Sequence, residues 1–445
     1  MSHHLEMKNW RIKVFTSTWL TYFGFYFCRK AFYAVKGPLA SDLHIDETQL
    51  GYIGFVYLLC YTVGQFTAVG TGRLLGARNL LLVGMATSLI TNIIFGFSTN
   101  MWTIMAFMGI NGFAQATGWP STIGIMANWT KRSERGTVMG IWTTCYQFGG
   151  VFATAWAAWW LNKQGWRGSF FAASSVLTVI WFYVYFFARN RPEDVGLVLK
   201  EEDDDTVDNK ESPPEEQEKD TGRMFAPGII QTVLLVGCFY FFVKFVRYAL
   251  WSWAPFLLDT KFGLDPDIAG YMSTLFDLFG FVGAVTAGVL SDKLFGGRRT
   301  VISIIMLCGM VVGCGVLYWA GTMAGSGSFS ETMVLFTCGF GLSMIGFMLF
   351  GPDSLLTGAG AMDLGSKKSA LAAAGIINGM GSIGSMAQEI ILPQVMAYSK
   401  GGVLIAGILF TETAATFAVL ILASIGAIGP LLIVNWRNKQ GKSDL

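Results

Sequence analysis

The sequence predicts an all-α membrane protein in which twelve transmembrane helices form two pseudo-symmetric six-helix bundles. Of its 445 residues, 53% are hydrophobic and 13% are charged, a balance outside the range of soluble globular domains. Apolar segments of roughly 20 residues, each long enough to cross about 30 Å of hydrocarbon, recur along the whole chain. A long acidic stretch near the middle separates six such segments from six others.

The predicted spans are apolar runs bounded by charged or turn-forming residues. In the first half they are residues 11–35, 49–70, 77–97, 101–127, 136–161 and 168–189. In the second half they are residues 229–256, 268–290, 299–320, 331–359, 369–395 and 405–434. We therefore assign residues 1–189 to an N-terminal bundle and residues 229–445 to a C-terminal bundle.

The intervening residues 190–228 are predicted to form a flexible acidic linker on the cytoplasmic side. Residues 201–205 are all acidic, and Pro213 and Pro214 follow them. A segment with so few apolar side chains cannot bury enough surface to fold by itself. We interpret it as a solvated tether between the bundles, with an acidic recruitment tail as the alternative.

The charge pattern also predicts the orientation of the chain. Basic residues such as Lys131, Arg135 and Arg189 concentrate in the loops on one side of the predicted membrane. The positive-inside rule then places both termini in the cytoplasm, in an inner or cell membrane. The N-terminus lacks the ordered features of a signal peptide, and we expect none to be removed. All seven cysteines fall within predicted spans, without metal-ligand spacing, so we expect no disulfide and no metal site.

Two arginines lie inside predicted spans and mark the candidate site. Arg29 belongs to the first helix of the first half and Arg247 to the first helix of the second. A charge at bilayer depth is costly and is by default a functional-site hypothesis. In transporters built from two repeats, the substrate site lies near the midplane between the repeats, and guanidinium groups suit phosphate or carboxylate. The alternative is that each arginine merely pairs with a buried carboxylate.

Several segments resemble the organophosphate:phosphate antiporter family of the major facilitator superfamily, which includes glycerol-3-phosphate and hexose-phosphate transporters. The loop at residues 288–299 resembles the superfamily's signature, and its Asp292 is expected to help lock that face shut. The family resemblance covers nearly the whole chain and rests on Tyr26-x-x-Arg29-Lys30-x-Phe32, Gly118-Trp119-Pro120, Phe245-Val-Arg247-Tyr248 and Phe350-Gly351-Pro352.

The resemblance implies exchange of a phosphorylated metabolite, such as a sugar phosphate or glycerol phosphate, for inorganic phosphate, with Arg29 and Arg247 holding the phosphoryl group. It implies no cofactor and no enzymatic activity. The partners expected are the phosphorylated substrate, inorganic phosphate and the lipid bilayer, without nucleic acid, and we expect a functional monomer. The full set of expected substrate-binding residues is Arg29, Arg247, Lys244, Tyr22, Tyr26, Lys30, Tyr146, Gln115 and Asp277.

Some of these residues have alternative interpretations. Lys30 points about 100° away from Arg29 on a helix and could pair with an acid instead. Asp277 is expected to balance Arg247 or Lys244. Tyr146 stands where the glycerol-3-phosphate transporter carries a histidine, so it would be a neutral donor.

Two other functions fit the same residues. One is a transporter-like membrane sensor of a sugar phosphate, which would keep both arginines. The other is a proton-coupled symporter of organic anions that uses Glu389 or Asp353, because burial raises the pKa of a carboxyl group. For each of these two acids the competing interpretation is a charge pair or a contact with a hydroxyl group.

Overall fold

The computed structural model describes residues 2–131, 134–198, 229–294, 299–325, 330–356, 367–405 and 408–440. The first half contains α1 (Ser2–Ala34), α2 (Lys36–Leu43), α3 (Glu47–Leu75), α4 (Ala77–Phe97), α5 (Met101–Gln115), α6 (Gly118–Trp129), α7 (Arg135–Trp142) and α8 (Thr144–Phe187). The second half contains α9 (Ile229–Thr260), α10 (Pro266–Leu294), α11 (Arg299–Gly325), α12 (Glu331–Ser354), α13 (Lys367–Tyr398) and α14 (Glu412–Lys439). The all-α prediction is confirmed.

Eight helical stretches in the described residues are long and apolar enough to cross a membrane. One of them, Val138–Phe187, contains two predicted spans in 50 residues, and Gly165 breaks the helix between them with φ 70°. A left-handed φ at this position favours glycine, which explains how two spans are joined without a loop. The predicted fourth span is divided into α5 and α6, each shorter than 18 residues.

The start of the last span differs from the prediction. The twelfth span was predicted to begin at residue 405, but α14 begins at Glu412. The residues before it form a small antiparallel hairpin, β1 (Val403–Ile405) and β2 (Ile408–Phe410), which the apolar run concealed. Apolar residues alone do not distinguish a helix end from a short strand.

The structure describes only the first residues of the predicted linker, up to residue 198. Pro192–Val195 forms a 3₁₀ turn, and the side chain of Leu197 is buried. The side chain of Asn190 accepts a hydrogen bond from the backbone of Arg78 at 2.8 Å. Residues 199–228, which include the acidic run, lie outside the described residues, as do the side chain of Asp292 and residues 295–298 of the signature loop.

The two halves meet along several pairs of helices. α8 packs against α10, α3 packs against α13, and both α1 and α2 contact α9. On α3, Gly51 and Gly54 lie so close to Glu389 of α13 that a Cβ atom at either position would overlap it. Small residues at such contacts let helices approach closely inside a membrane. The bundle boundaries at residues 189 and 229 stay a prediction.

Candidate functional site

Arg29 lies on α1 and is held in place by neutral groups. Its Nε donates a hydrogen bond to Oε1 of Gln115 at 2.9 Å, and the hydroxyl of Tyr57 donates to the same oxygen at 3.2 Å. The amide nitrogen of Gln115 in turn donates to Ser88 at 3.0 Å and to Asn111 at 3.2 Å. These contacts connect α1, α3, α4 and α5 around one guanidinium group.

Gln115 is fully buried, and both the oxygen and the nitrogen of its side-chain amide form hydrogen bonds within this network. Asn111 extends the network back to α1, because its amide donates to the backbone carbonyl of Cys28, the residue before Arg29, at 3.2 Å. The sequence predicted Gln115 as a substrate ligand. The structure places it behind Arg29, where it fixes the direction of the guanidinium group.

The charge of Arg29 faces aromatic rings. Its guanidinium carbon lies 5.0 Å from the ring centre of Tyr61, 5.1 Å from that of Tyr26 and 5.9 Å from that of Tyr57. No carboxylate in the described part of the chain forms an ion pair with Arg29, and its Nη2 is buried without a hydrogen-bond partner there. Buried polar groups are normally hydrogen-bonded, so this nitrogen is a donor that the described residues leave unused.

Arg247 on α9 has a different environment. Its Nη1 forms an ion pair with Oδ2 of Asp353 on α12, and its guanidinium carbon lies 4.3 Å from the ring centre of Phe350. The arginine side chain is 25% exposed and the aspartate side chain 9%. The charge-pair alternative is therefore realised for Arg247 but not for Arg29.

Lys244, one turn before Arg247, lies beside aromatic rings and without a carboxylate among the residues described. Its Nζ is 5.0 Å from the ring centre of Tyr248 and 5.2 Å from that of Tyr240. The expectation that Asp277 balances Lys244 or Arg247 is wrong. Oδ2 of Asp277 accepts from Nζ of Lys30 at 3.1 Å, so this acid connects the two halves.

The helical geometry explains why Lys30 reaches Asp277. Adjacent residues on a helix point about 100° apart, so Arg29 faces α3 and α5 while Lys30 faces α10. Lys30 also lies 4.3 Å from the ring centre of Trp251. Lys30 was expected to bind substrate, and the alternative, that it pairs with an acid, is the one that this contact supports.

An aromatic cluster borders the site on the first half. The ring of Tyr22 lies 5.1 Å from that of Tyr146, 5.6 Å from that of Trp142 and 6.0 Å from that of Trp119, centre to centre. Its hydroxyl lies 3.4 Å from the hydroxyl of Tyr61. The sequence singled out Tyr22 and Tyr146 but not Trp142, because most tryptophans in such a chain face lipid or the interface.

The two halves touch beside the two arginines. The ring of Tyr33 on α1 lies 4.5 Å from the ring of Trp251 on α9, centre to centre, and Trp251 lies 5.7 Å from Tyr248, the residue after Arg247. The cationic groups of both halves therefore border one shared region, although they come from residues far apart in the sequence.

A second contact between the halves lies at the end of the bundle opposite the chain termini. Lys36 on α2 donates to Ser252 at 2.7 Å and lies 3.5 Å from Glu389, and Ser252 donates to Glu389 at 2.6 Å. All three residues are at most 1% exposed. Lys36 comes directly after the first predicted span, where a lysine resembles an interfacial residue. We call these three residues the buried latch.

A bundle of membrane helices whose two halves share a cationic region has the architecture of a secondary transporter. The profile of the Major Facilitator Superfamily matches residues 18–389. The chain belongs to this superfamily and, within it, to the organophosphate:phosphate antiporter family, as its relatives indicate. It is therefore an integral, multi-pass membrane protein.

The relatives carry three kinds of name. The chain is 30% identical to "Glycerol-3-phosphate transporter" of Bacillus subtilis (strain 168), covering 85% of this chain and 84% of the relative. It is 29% identical to "Probable hexose phosphate transport protein" of Chlamydia trachomatis serovar D, covering 83% and 81%. It is 28% identical to "Membrane sensor protein UhpC" of Escherichia coli (strain K12), covering 83% and 82%.

Solved structures support the fold alone. A bacterial homologue of the human lysosomal transporter Spinster, inward-facing and unoccupied, superposes with a TM-score of 0.71 at 15% identity, covering 98% of this chain and 99% of the other. A D-xylose–proton symporter gives a TM-score of 0.69 at 15% identity, covering 94% and 96%. The predicted major facilitator fold is confirmed.

Proposed function

We propose that the protein is a secondary active transporter that exchanges a phosphorylated organic metabolite for inorganic phosphate, with the anion held between Arg29 and Arg247. The observation that carries this proposal is the state of Arg29. Its guanidinium group is buried, is fixed by Gln115, has an unpartnered nitrogen and lacks a carboxylate partner among the described residues. A phosphoryl group supplies the acceptor oxygens and the negative charge that such a site lacks.

The balance of charges supports a dianion. Among the residues that the structure describes, four cationic side chains border the region: Arg29, Lys30, Lys244 and Arg247. Two acids, Asp277 and Asp353, pair with two of them. Two cations remain in excess, and a phosphate monoester or hydrogen phosphate carries about two negative charges near neutral pH.

The same excess gives a reason for exchange. Closing the halves around uncompensated cations is unfavourable, whereas a bound anion neutralises them, so the loaded protein changes conformation more readily than the empty one. The buried latch must separate when the end opposite the termini opens. We further propose that both termini face the cytoplasm from an inner membrane and that the monomer is the functional unit.

The experiment is uptake of labelled phosphate into proteoliposomes that are preloaded with phosphate or left empty. Wild-type protein is compared with Arg29→Lys, Arg247→Lys and the surface control Arg167→Lys. The proposal expects uptake only with internal phosphate, loss in the first two variants and retention in the control. Uptake that requires a proton gradient and no internal phosphate would support the symporter instead.

A second candidate is a membrane sensor, favoured by the 28% identity to the sensor protein of Escherichia coli. A sensor would keep the binding site for a phosphate ester. It would not need to carry the ester across the membrane. Protein that binds a phosphate ester in detergent, yet exchanges no phosphate in any gradient, would support the sensor.

A further inference from the structure

A cluster of basic residues lies at the end of the bundle that carries the chain termini, where α1, α4 and the end of α8 meet. Nζ of Lys13 lies 4.8 Å from the ring centre of Trp10, and the guanidinium carbon of Arg189 lies 5.4 Å from the same centre. Arg78 is in the first turn of α4, and its backbone N–H donates to the side chain of Asn190 at 2.8 Å. We call Lys13, Arg78 and Arg189 the basic corner.

The described residues supply no carboxylate partner to the basic corner. None of its three cations takes part in the ion pairs found in that part of the chain. Arg11, by contrast, pairs with Glu134, and Asp194 in the following 3₁₀ turn accepts from the backbone N–H of Arg191 at 3.1 Å. Like charges repel more strongly beside hydrocarbon than in water, so an anion from outside the chain would stabilise this cluster.

Arg78 is held in a fixed direction. Its Nη2 donates to the backbone carbonyl of Tyr185 on α8 at 2.6 Å, and its guanidinium carbon lies 5.5 Å from the centre of the Tyr185 ring. Its Nε is buried without a hydrogen-bond partner among the described residues, which leave this donor unused. A fixed guanidinium group with unused N–H donors suits the oxygens of a phosphate group.

The basic corner lies at the level of the lipid headgroups. The 21 residues of α4 (Ala77–Phe97) form a helix about 31 Å long, which matches the thickness of the hydrocarbon core. Arg78, at the start of this helix, is therefore at the boundary of the hydrocarbon. On α8, Phe182 and Phe186 lie on one face and are 53% and 57% exposed. An apolar surface thus continues from the basic corner toward the middle of the membrane.

From this arrangement we infer that the basic corner binds the phosphate group of an anionic phospholipid whose acyl chains lie along Phe182 and Phe186. The inference goes beyond the proposed function and does not depend on it. Arg78 and Arg189 donate to the phosphate oxygens, and Lys13 adds positive charge. A choline lipid is disfavoured, because its headgroup brings a further cation to a place that already has three.

The test is native mass spectrometry of the whole protein in detergent, with phosphatidylglycerol or phosphatidylcholine of identical acyl chains at equal concentration. The readout is the ratio of protein with one bound lipid to protein without lipid. Wild-type protein is expected to retain phosphatidylglycerol about tenfold better than phosphatidylcholine. This preference should fall about fivefold in Arg78→Gln and in Arg189→Gln, because each removes one basic contact to the headgroup.

The matched control is Arg167→Gln, which removes the same charge from an exposed pair with Asp42 at the other end of the bundle. It should keep the preference of the wild type. Equal retention of both lipids by wild-type protein, or an equal loss of preference in the control, would overturn the inference. Release of phosphatidylglycerol by inorganic phosphate, but not by chloride at equal ionic strength, would also overturn it, because the basic corner would then be a site for free phosphate.

Two further points keep the test decisive. If Arg78→Gln does not fold, Lys13→Gln replaces it, because the described contacts of the Lys13 ammonium group are with the rings of Trp10 and Phe187. The preference must fall in that variant too. Protein that shows the lipid preference but exchanges no phosphate contradicts the proposed function and leaves the lipid site standing. Protein that exchanges phosphate, with an unchanged preference in the variants, contradicts the lipid site alone.

Discussion

Arg29 and Arg247 occupy corresponding helices of the two halves but have opposite electrostatic environments. Arg29 is fixed by an amide and surrounded by tyrosines, whereas Arg247 is neutralised by Asp353. A neutral network positions a cation without cancelling its charge, while a carboxylate positions it and cancels it. Corresponding positions in a pseudo-symmetric chain therefore do not guarantee equal roles.

The largest expected effect is on exchange itself. Arg29→Lys and Arg247→Lys should each lower phosphate exchange by more than about 100-fold, because lysine cannot reproduce the fork of a guanidinium group. The measurement is initial exchange rate in preloaded proteoliposomes at equal protein density. If an arginine without a carboxylate partner contributes more to anion binding, the exchange rate should fall more in Arg29→Lys than in Arg247→Lys. The reverse order would contradict the contrast drawn between the two arginines.

The pair of Arg247 and Asp353 lies within the second half, whereas the buried latch joins the two halves. Lys36→Met leaves Glu389, which is 1% exposed, without its cation and should destabilise the closed end by about 3 kcal/mol. Spin labels at Ser41 and Thr260, in a background without reactive cysteines, should report a longer distance across that end. The double variant Lys36→Met with Glu389→Met should restore the short distance. An unchanged distance in the single variant would mean that the latch does not hold this end closed.

Substitution of Arg247 should lower the free energy of unfolding more than substitution of Arg29. This order is the reverse of the one expected for transport. Arg247→Gln leaves the buried carboxylate of Asp353 without its guanidinium and should cost about 2 kcal/mol, less than a fully buried pair because Arg247 is a quarter exposed. Arg29→Gln strands no carboxylate and should cost about 1 kcal/mol, the value of one hydrogen bond. Melting temperatures of detergent-solubilised protein measure the difference. Adding Asp353→Asn should recover stability only in the Arg247→Gln background.

Gln115→Glu would give Arg29 the kind of partner that Arg247 has. A carboxylate beside Arg29 should weaken phosphate binding about tenfold, since it competes with the ligand for the guanidinium group. Gln115→Met removes the hydrogen bond without adding charge and should weaken binding less. Phosphate affinity by calorimetry distinguishes the two, and equal losses would show that only the hydrogen bond matters.

The smallest effect is expected at an exposed pair of the same chemistry. Arg167 and Asp42 are 2.7 Å apart, with side chains 39% and 48% exposed. Hydrogen bonds from Arg167 and Trp166 lower the pKa of Asp42, so any contribution to stability is present above its unfolded pKa of about 4 and is lost on acidification. Arg167→Gln should not measurably change the melting temperature near neutral pH. A large decrease in melting temperature would mean that the difference in burial does not explain why this pair and Arg247–Asp353 are expected to contribute differently to stability.

Much of the architecture could be predicted because apolar runs of membrane length are a one-dimensional signal. Most spans match helices within a few residues, and the arginines were found because charge is rare at bilayer depth. The hairpin before α14 could not be separated from an apolar helix end by composition. The ordered start of the linker could not be predicted either, because the hydrogen bond from the backbone of Arg78 to Asn190 joins residues 112 positions apart in the chain.

The partners of the charged residues lay beyond the sequence. Asp277 was assigned to the wrong cation because the choice among Lys30, Lys244 and Arg247 depends on helix rotation and on which half supplies each neighbour. Lys36 was missed because its partners are more than 200 residues away in the chain. Long-range pairs of this kind leave no periodic pattern.

The sequence by itself determined that this chain crosses the membrane repeatedly, that it has two related halves, and that the first helix of each half contains an arginine. These properties depend on composition and local periodicity, which are written along the chain. The tertiary structure alone decided which arginine is paired with a carboxylate, which acids connect the halves and at which end the bundle is closed. Those outcomes depend on distances of a few ångströms between helices, and electrostatic energies inside a low-dielectric bundle change steeply over such distances.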